Sequence, residues 1–264
     1  MELTQEQKAD AFEALHTGET FIIVNPWDAG SARVLEKLGF KALATTSSGF
    51  AFTLGRSDGE ATLDEVVDHA RALDRASNLP VSVDLENGHG REPEAAAAAI
   101  TRVAEAGAVG GSIEDYDPAG EIYGFDHAVE RVAAACETAR GLGFPFMLTA
   151  RAENYVRDNP DLDDTIARLQ AFDRAGADVL YAPRLPSVNE MRAVCEATSK
   201  PVNVLARPGV SMTEMANAGA QRVSVGGTLT WAAVAAMVNA AQTMRDDGDF
   251  SALAIPEEVG KLID

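Results

Sequence analysis

Residues 81–115 read VSVDLENGHGREPEAAAAAITRVAEAGAVGGSIED. Residues 81–85 and 109–113 are short apolar runs rich in β-branched residues, and residues 93–105 show apolar residues at helical spacing. Gly107 follows the helical stretch directly, where glycine often ends a helix in the left-handed conformation. The segment therefore predicts a strand, a helix and a second strand, the unit from which parallel sheets are built.

The same unit recurs along the whole chain. Strand-like runs occupy residues 21–24, 42–45, 81–85, 109–113, 146–150, 179–182, 202–206 and 222–225. Helical patterns occupy residues 29–38, 63–76, 93–105, 126–142, 163–175, 187–197, 213–217 and 231–244. A glycine just past a helix recurs at Gly39, Gly107, Gly143, Gly176 and Gly219.

Strict alternation of strands and helices predicts parallel strands with helices outside, and eight strands can close into a (β/α)8 TIM barrel. The 264 residues are close to the length of one such barrel, so we expect a single domain over residues 1–264. Residues 229–264 form its last helix and a tail. An open doubly wound sheet is the alternative. Against it, NPWD at residues 25–28 is no glycine-rich dinucleotide turn.

The composition limits the partners of the chain. It holds 22 basic and 41 acidic residues, a net charge of −19, so we expect it to repel nucleic acids and anionic membranes. No apolar run approaches the roughly 18 residues of a membrane span. Cys136 and Cys195 lie in helical patterns without metal-binding spacing, which favours structural burial in a reduced, cytoplasmic protein.

Acidic residues follow two neighbouring strands, where a barrel places its active site. Asp84 and Glu86 end the third predicted strand, and Glu114 follows the fourth. In an extended chain, residues two apart point to the same face. Facing carboxylates without a counter-ion repel one another, and Mg²⁺ accepts one or two carboxylates together with waters and substrate oxygens. The pattern predicts a Mg²⁺ site, with Mn²⁺ as the alternative ion.

Arg151 follows the fifth strand and is the predicted substrate anchor, because its planar guanidinium can bind a carboxylate or phosphonate through two hydrogen bonds. Residues 46–49, TSSG, follow the second strand and offer backbone N–H groups and hydroxyls to a second anionic group. A small dianionic substrate is therefore expected.

Several other polar or glycine residues have simpler interpretations as helix caps, solvated loop residues or turns. These residues are Asp117, Glu153, His89, His127 and the pair Gly226–Gly227. For His89 and His127 the alternative is an auxiliary catalytic role. For Gly226–Gly227 the alternative is a phosphate-binding turn.

Taken together, the motifs resemble the isocitrate lyase and phosphoenolpyruvate mutase superfamily, particularly its short, barrel-length members. The resemblance covers nearly the whole chain. It rests on NPWD at 25–28, TSSG at 46–49, GRSDG at 55–59, DLE at 84–86, SIED at 112–115, Arg151 and PVNVL at 201–205.

Members of that superfamily bind Mg²⁺ and a 2-oxo acid or its enolate. The resemblance implies that Asp84 is the direct metal ligand and that Glu86, Glu114 and Asp58 hold metal-bound waters. It implies catalytic roles for Arg151, Glu114 and Asp58. The implied substrate-binding residues are Trp27, Ser47, Ser48, Gly49, Arg151 and Asn203.

The chain departs from the superfamily in the segments that select the reaction. Isocitrate and methylisocitrate lyases carry a Lys-[Lys/Arg]-Cys-Gly-His loop after the fourth strand, whose cysteine supplies a proton. Here residues 116–123 read YDPAGEIY, and APR at residues 182–184 replaces a glutamate after the sixth strand. The Asn- and Lys-bearing gating loop of the phosphonopyruvate enzymes is not found either.

The motifs that the chain shares with the superfamily predict Mg²⁺-dependent cleavage of a carbon–carbon bond in a small 2-oxo or 2-hydroxy dicarboxylic acid through an enolate. Decarboxylation of an oxaloacetate-like acid is one such reaction. One alternative is a phosphonopyruvate-type mutase or hydrolase. Another is a metal-dependent 2-oxo acid-binding protein without turnover. The resemblance further implies a homo-oligomer, a dimer or tetramer, in which the last helix is exchanged between barrels.

Overall fold

The computed structural model describes residues 3–262. The strands are β1 (Phe21–Ile23), β2 (Leu43–Ala44), β3 (Val81–Asp84), β4 (Gly110–Glu114), β5 (Tyr116–Asp117), β6 (Glu121–Ile122), β7 (Met147–Arg151), β8 (Val179–Tyr181), β9 (Val202–Leu205) and β10 (Arg222–Ser224). The helices are α1 (Gln5–Leu15), α2 (Ala29–Lys37), α3 (Ser47–Thr53), α4 (Leu63–Ala76), α5 (Pro93–Ala104), α6 (Phe125–Arg140), α7 (Leu162–Ala175), α8 (Val188–Ala197), α9 (Met212–Asn217), α10 (Thr228–Asp247) and α11 (Glu257–Gly260).

Eight parallel strands form one sheet in the order β1-β10-β9-β8-β7-β4-β3-β2. A parallel bridge between Val24 and Leu43 joins its two ends, and the Ala44 N–H donates a hydrogen bond of 2.9 Å to the Val24 carbonyl. The sheet therefore closes on itself. The predicted (β/α)8 barrel is confirmed, and the open doubly wound sheet is wrong.

Local sequence signals set the ends of the helices. Thr62 and Glu65 form a reciprocal capping box at the start of α4, and Pro93 is the first residue of α5. The five glycines expected after helices, at positions 39, 107, 143, 176 and 219, all have positive φ angles, between +83° and +109°. This left-handed conformation turns the chain from each helix towards the next strand.

Helix α1 covers the N-terminal end of the barrel. Its Phe12 is fully buried against the apolar side chains of Phe21, Ile23 and Met147. A Cβ atom added to Gly110 would lie 2.8 Å from Phe12 Cε1, so this close packing requires glycine. A larger apolar layer lies between the strands and the outer helices. The fold thus closes the bottom of the barrel and leaves the C-terminal ends of the strands for chemistry.

Besides helices α1 and α11, two features near the mouth of the barrel were not predicted from the sequence. Residues 46–49, expected to be a loop, form the N-cap and the first turn of helix α3, where Thr46 accepts a hydrogen bond from the Gly49 N–H. The segment after β4 forms a two-stranded antiparallel hairpin of β5 and β6, with Tyr116 opposite Ile122.

Helix α10 differs from the other long helices because it buries little apolar surface. Thr230 is its one buried residue, whereas Trp231, Met237 and Val238 are 49%, 58% and 41% exposed. Phe250 and Ile255 in the segment that follows are 62% and 65% exposed. Within residues 3–262, no helix combines the length and the apolar character needed to cross a membrane.

Candidate active site

The ends of three adjacent strands bring the predicted site residues together. Asp84 ends β3, Glu114 ends β4 and Arg151 ends β7, and these strands are hydrogen-bonded neighbours in that order. Glu114 lies directly opposite Arg151 in the register, and Asp84 lies opposite Ser112. The closed parallel sheet therefore places two acidic residues and one arginine at the same mouth, as predicted.

Arg151 is held by carboxylates on several sides. Its Nη2 lies 3.4 Å from Glu114 Oε2, and its Nη1 lies 3.9 Å from Asp84 Oδ1. Its Nε donates a hydrogen bond to Oε1 of Glu153, which is fully buried. These contacts fix the plane of the guanidinium, so that its orientation is set before any ligand binds. Glu153 was expected to be a cap or a solvated charge, and that expectation is wrong.

A second arginine, Arg157, completes this network and was not identified from the sequence. Its Nε donates to Glu153 Oε2 at 3.1 Å, and its Nη2 donates to Glu114 Oε1 at 3.3 Å. Its guanidinium carbon lies 3.5 Å from the centroid of the Tyr116 ring in the hairpin. The spacing of Glu153 and Arg157, four residues apart, is the signal that could have indicated the pair.

Glu86 lies in a different electrostatic environment. Burial first, and then the negative charges of Asp84 and Asp58, raise the pKa of Glu86 to about 7. The sequence analysis treated Glu86 as part of an extended strand, but its backbone φ is +51° and it lies beyond the end of β3. A Cβ on Gly59 would be 3.7 Å from Glu86 Oε2, which places the 55–59 loop against this carboxylate.

Asp84 accepts only long hydrogen bonds. The Ser47 N–H and the Glu86 N–H each donate at 3.3 Å, and the Ser112 hydroxyl donates at 3.4 Å. Its carboxylate oxygens therefore remain able to bind a cation. By contrast, both oxygens of Glu114 face arginines. Of the two strand-end carboxylates, Asp84 and Glu114, the chain satisfies Asp84 less, and the resemblance assigns Asp84 as the direct metal ligand.

This donor set fits a hydrated divalent cation better than a cage made of protein ligands. Within residues 3–262, no three His, Cys, Asp or Glu side chains converge closely enough to hold a metal ion directly. Mg²⁺ commonly binds one or two carboxylates and keeps several waters. Asp84 as ligand, with Glu86 and Asp58 around it, matches that preference. A cation would offset the carboxylate charges that, after burial, raise the pKa of Glu86.

Residues 46–49, the predicted substrate-binding segment, have two kinds of surroundings. Ser47 lines the outer cavity of the mouth. Ser48 instead accepts a hydrogen bond of 3.3 Å from Trp231 Nε1, and a Cβ on Gly49 would lie 2.6 Å from Thr230 Oγ1 and 3.3 Å from Trp27 Cβ. Ser48 and Gly49 therefore pack α3 against α10, with Gly49 also against Trp27.

Two cavities meet at Arg151. The outer cavity, of about 330 Å³, is lined by polar residues from the strand-end loops, chiefly Ser47, Asp58, Glu86, Glu114, Tyr116, Arg151 and Arg157. The inner cavity, of about 70 Å³, extends into the barrel and is lined by Asp84, Ser82, Ser112, Thr149, Arg151, Tyr181, Asn203, Arg222 and Ser224, among others. Arg151 is common to both cavities.

Asn203 lies on β9 inside the barrel. Its side-chain N–H donates to the Ser224 hydroxyl at 3.0 Å, and its carbonyl oxygen accepts from Arg222 Nε at 2.9 Å. Arg222 and Tyr181, which also line the inner cavity, were not identified from the sequence. The alternation of Arg222 and Ser224 along β10 is the available signal, since both face the barrel interior.

Most of the residues with simpler interpretations have structural contacts, and His89 is the exception. The Gly226 N–H donates to Asn25 Oδ1 at 2.9 Å, as expected for a turn into α10. His127 Nε2 lies 3.0 Å from the Arg91 carbonyl. Burial lowers the pKa of His89, whose Nε2 has no partner within the described chain. Asp117 is buried and pairs with Arg91, so its expected role as a solvated charge is wrong.

The two cysteines are free thiols. Cys136 is buried in α6, as expected, whereas Cys195 is only partly buried. Burial raises the pKa of Cys136 to about 12 and that of Cys195 to about 11. Both side chains are therefore thiols at neutral pH.

A closed (β/α)8 barrel that brings carboxylates and a rigidly held arginine together at its mouth has the arrangement of a metal-dependent enzyme. The family model described as phosphoenolpyruvate phosphomutase matches residues 12–245. The chain belongs to this family, within the isocitrate lyase/phosphoenolpyruvate mutase superfamily of metal-dependent lyases and mutases.

Individual relatives agree with this assignment. The 2-methylisocitrate lyase of Halalkalibacterium halodurans is 30% identical over 258 residues, which cover 93% of this chain and 84% of that protein. An oxaloacetate decarboxylase of Bradyrhizobium sp. is 29% identical over 233 residues, which cover 84% and 79%. A Burkholderia cenocepacia J2315 crystal structure, provisionally named a lyase/mutase, is 51% identical with a TM-score of 0.93 and covers 97% of this chain and 94% of its own.

Proposed function

We propose that the protein is a Mg²⁺-dependent lyase that cleaves a carbon–carbon bond in a small 2-oxo or 2-hydroxy dicarboxylic acid through an enolate, as in decarboxylation of oxaloacetate. The observation that carries the proposal is the contrast within the mouth between Asp84, which is poorly satisfied, and Arg151, which is fixed by three carboxylates. The names of the oxaloacetate decarboxylase and 2-methylisocitrate lyase relatives support the same reaction class.

Arg151 would bind the substrate and stabilise developing negative charge. Its guanidinium faces both cavities, and its contacts with Glu114 and Glu153 hold it in place without needing a ligand. A donor that is already oriented stabilises an enolate oxygen without reorganising during the reaction. Ser47, whose N–H lies beside Asp84, would bind the carboxylate end of the substrate.

Asp84 would hold Mg²⁺, or Mn²⁺ in its place, with Glu86, Glu114 and Asp58 holding the ion's waters. When bound, the ion supplies Lewis-acid stabilisation of the enolate oxygen. Of the other proposed contacts, Asn203 lines the inner cavity. Ser48 and Gly49 contact α10, and Gly49 also contacts Trp27, so these three residues would act through the position of α3.

The β5–β6 hairpin occupies the place of the lyase cysteine loop. Tyr116 and Pro118 border the outer cavity, and Arg91 fastens the hairpin through Asp117 and Glu121. A hairpin at this position would limit the access of bulk water while the C–C bond breaks, and after loss of CO2 the enolate would take its proton from solvent to give the 2-oxo acid. We therefore propose a substrate that needs no cysteine acid.

The test is pyruvate release from oxaloacetate and from a panel of 2-oxo and 2-hydroxy diacids, measured above the background that Mg²⁺ alone produces. We expect activity that chelation abolishes and that Asp84→Asn lowers by about 100-fold or more. Asp64→Asn, at a side chain that is 82% exposed, is the matched control and should keep full activity. Equal rates for wild type and Asp84→Asn would refute the proposal.

A second candidate is chemistry at a P–C bond, favoured by the description of the matching family model. Phosphonopyruvate in the same assay, followed by phosphorus NMR, would then give phosphoenolpyruvate or free phosphate. Tight, Mg²⁺-dependent oxalate binding without turnover of any panel substrate would instead identify a 2-oxo acid-binding protein.

We further propose that the protein forms a homo-oligomer, a dimer or tetramer, through α10 and the tail over residues 229–264. The exposed apolar side chains Trp231, Met237, Phe250 and Ile255 support this, since isolated barrels rarely present such a row to water. Light scattering should show an assembly that Met237→Glu dissociates, whereas a monomeric wild type would contradict it.

The free thiols Cys136 and Cys195 favour a cytoplasmic location, which cell fractionation can check.

A further inference from the structure

Arg222 is a buried cation that has no carboxylate partner among the described residues. It is the first residue of β10 and is 5% exposed. Its Nε donates to Asn203 Oδ1 at 2.9 Å, its Nη2 donates to Thr149 Oγ1 at 2.8 Å, and its Nη1 lies 3.3 Å from His16 Nε2. Within residues 3–262, no Asp or Glu forms an ion pair with it.

The groups around Arg222 are neutral. Burial, followed by the charge of Arg222, lowers the pKa of His16 to about 3, so the imidazole carries no charge at neutral pH. Burial raises the pKa of the nearby Tyr181 hydroxyl. Burial lowers the pKa of Arg222 only to about 10, so the guanidinium stays charged. A buried charge without a counter-ion is strongly unfavourable, and proteins normally pair it.

The space beside Arg222 can hold a counter-ion. The inner cavity of about 70 Å³ has room for several waters or for one small anion, and the hydroxyls of Ser82, Ser112 and Ser224 line it. Thr149, which binds Arg222, precedes Arg151 by two residues on β7. Both side chains therefore face the interior, roughly 7 Å apart along the strand. Two guanidinium groups thus approach one hydroxyl-lined space.

Asp84 is the one carboxylate on the wall of this cavity among the described residues, and it faces Arg151 at the mouth. It does not reach Arg222. The positive charge of Arg222 therefore has hydroxyl groups around it, and no acidic group in residues 3–262 neutralises it.

We infer that Arg222 and the inner cavity form a binding site for a small monovalent anion, of the size of a halide ion or one carboxylate group. The anion comes either from solution or from the second carboxylate of a dicarboxylic ligand bound at the mouth. Only the second source rests on the proposed function. Arg222 itself makes no contact with Asp84, the proposed metal ligand, although both line the inner cavity.

The first experiment uses bromide as the probe. Crystals of the full chain soaked in bromide should show an anomalous peak next to Arg222, and absence of a peak there would overturn the inference. In solution, bromide or formate should raise the melting temperature of wild type by several degrees over gluconate at equal ionic strength. Arg222→Gln should lose this increment and Arg222→Lys should keep part of it. An equal response of wild type and Arg222→Gln would overturn the inference.

The second experiment identifies the source of the anion. If a diacid such as malonate, added with Mg²⁺, removes the bromide peak, the site binds a ligand carboxylate. If the peak stays, the anion comes from solution. Both results support the site, and neither depends on turnover, so failure of the proposed lyase activity is distinguishable from failure of this inference. Should Arg222→Gln not fold, the wild-type bromide peak alone decides.

Discussion

Arg151 and Arg222 point into the same barrel from different heights and have opposite surroundings. Arg151, at the mouth, contacts Glu153, Glu114 and Asp84. Arg222, deeper inside, contacts only the neutral groups of Asn203, Thr149 and His16. Both arginines line the inner cavity, but the chain supplies carboxylates to Arg151 and none of the described Asp or Glu residues to Arg222. The presence or absence of carboxylate partners therefore separates two roles for arginine.

The origin of the difference is the position along the strands. Glu114 and Glu153 come from the strand ends and loops, where the chain is free to supply acidic residues. The positions inside the barrel come from the strands themselves and carry serine, threonine and asparagine. Hydroxyls and amides satisfy the hydrogen bonds of Arg222 without cancelling its charge.

The largest expected effect is that of Arg151→Met on stability. The change leaves Glu114 and Glu153 buried with one cation fewer, so the free energy of unfolding should fall by about 3–5 kcal/mol in urea titrations. Arg56→Met, which removes a surface pair with Glu65, is the matched control and should remain near wild type. An Arg151 variant as stable as the control would show that the network does not hold the mouth together.

A smaller effect concerns acid stability near Arg222. The pKa of His16 falls from 6.5 to about 3 in the folded chain, so folding excludes a proton that the unfolded chain binds below about pH 6.5. The stabilisation is present above that pH and is lost as the pH falls towards 3. Between about pH 7 and 5, His16→Leu should lose roughly 2 kcal/mol less stability than wild type. Parallel pH curves for the two proteins would mean that His16 is not held neutral.

The smallest effect is expected for Arg157→Met. Arg157 is 32% exposed, and Arg151 still faces both Glu114 and Glu153 after its removal, so the loss should be about 1 kcal/mol, including its contact with Tyr116. Urea unfolding of this variant and of Arg151→Met compares their losses in the free energy of unfolding. Equal losses would mean that the two arginines share the carboxylates equally.

The sequence predicted the barrel and much of the mouth because both follow from local patterns. Predicted strand and helix ends mostly lie within one to three residues of those observed, since apolar runs, caps and glycines are local signals. Asp84, Glu114 and Arg151 could be placed together because parallel strands end at one edge.

Other features depend on contacts that no local pattern reveals. Helix α3 is short and contains Gly49, and it is held by packing such as that of Phe50 stacked on His69 at 4.1 Å. Glu153 looked like a loop charge because its two arginines only become neighbours in the folded chain. Arg222 was not identified because active-site residues of a barrel are expected at the C-terminal ends of the strands, whereas Arg222 is the first residue of its strand.

The most direct test of the account is a crystal structure of the protein with Mg²⁺ and oxalate. We expect a cation in contact with Asp84, surrounded by waters that reach Glu86 and Glu114, and an oxalate oxygen on Arg151. A cation bound away from Asp84, or oxalate that avoids Arg151, would contradict the proposed division between the carboxylate that holds the metal and the arginine that holds the substrate.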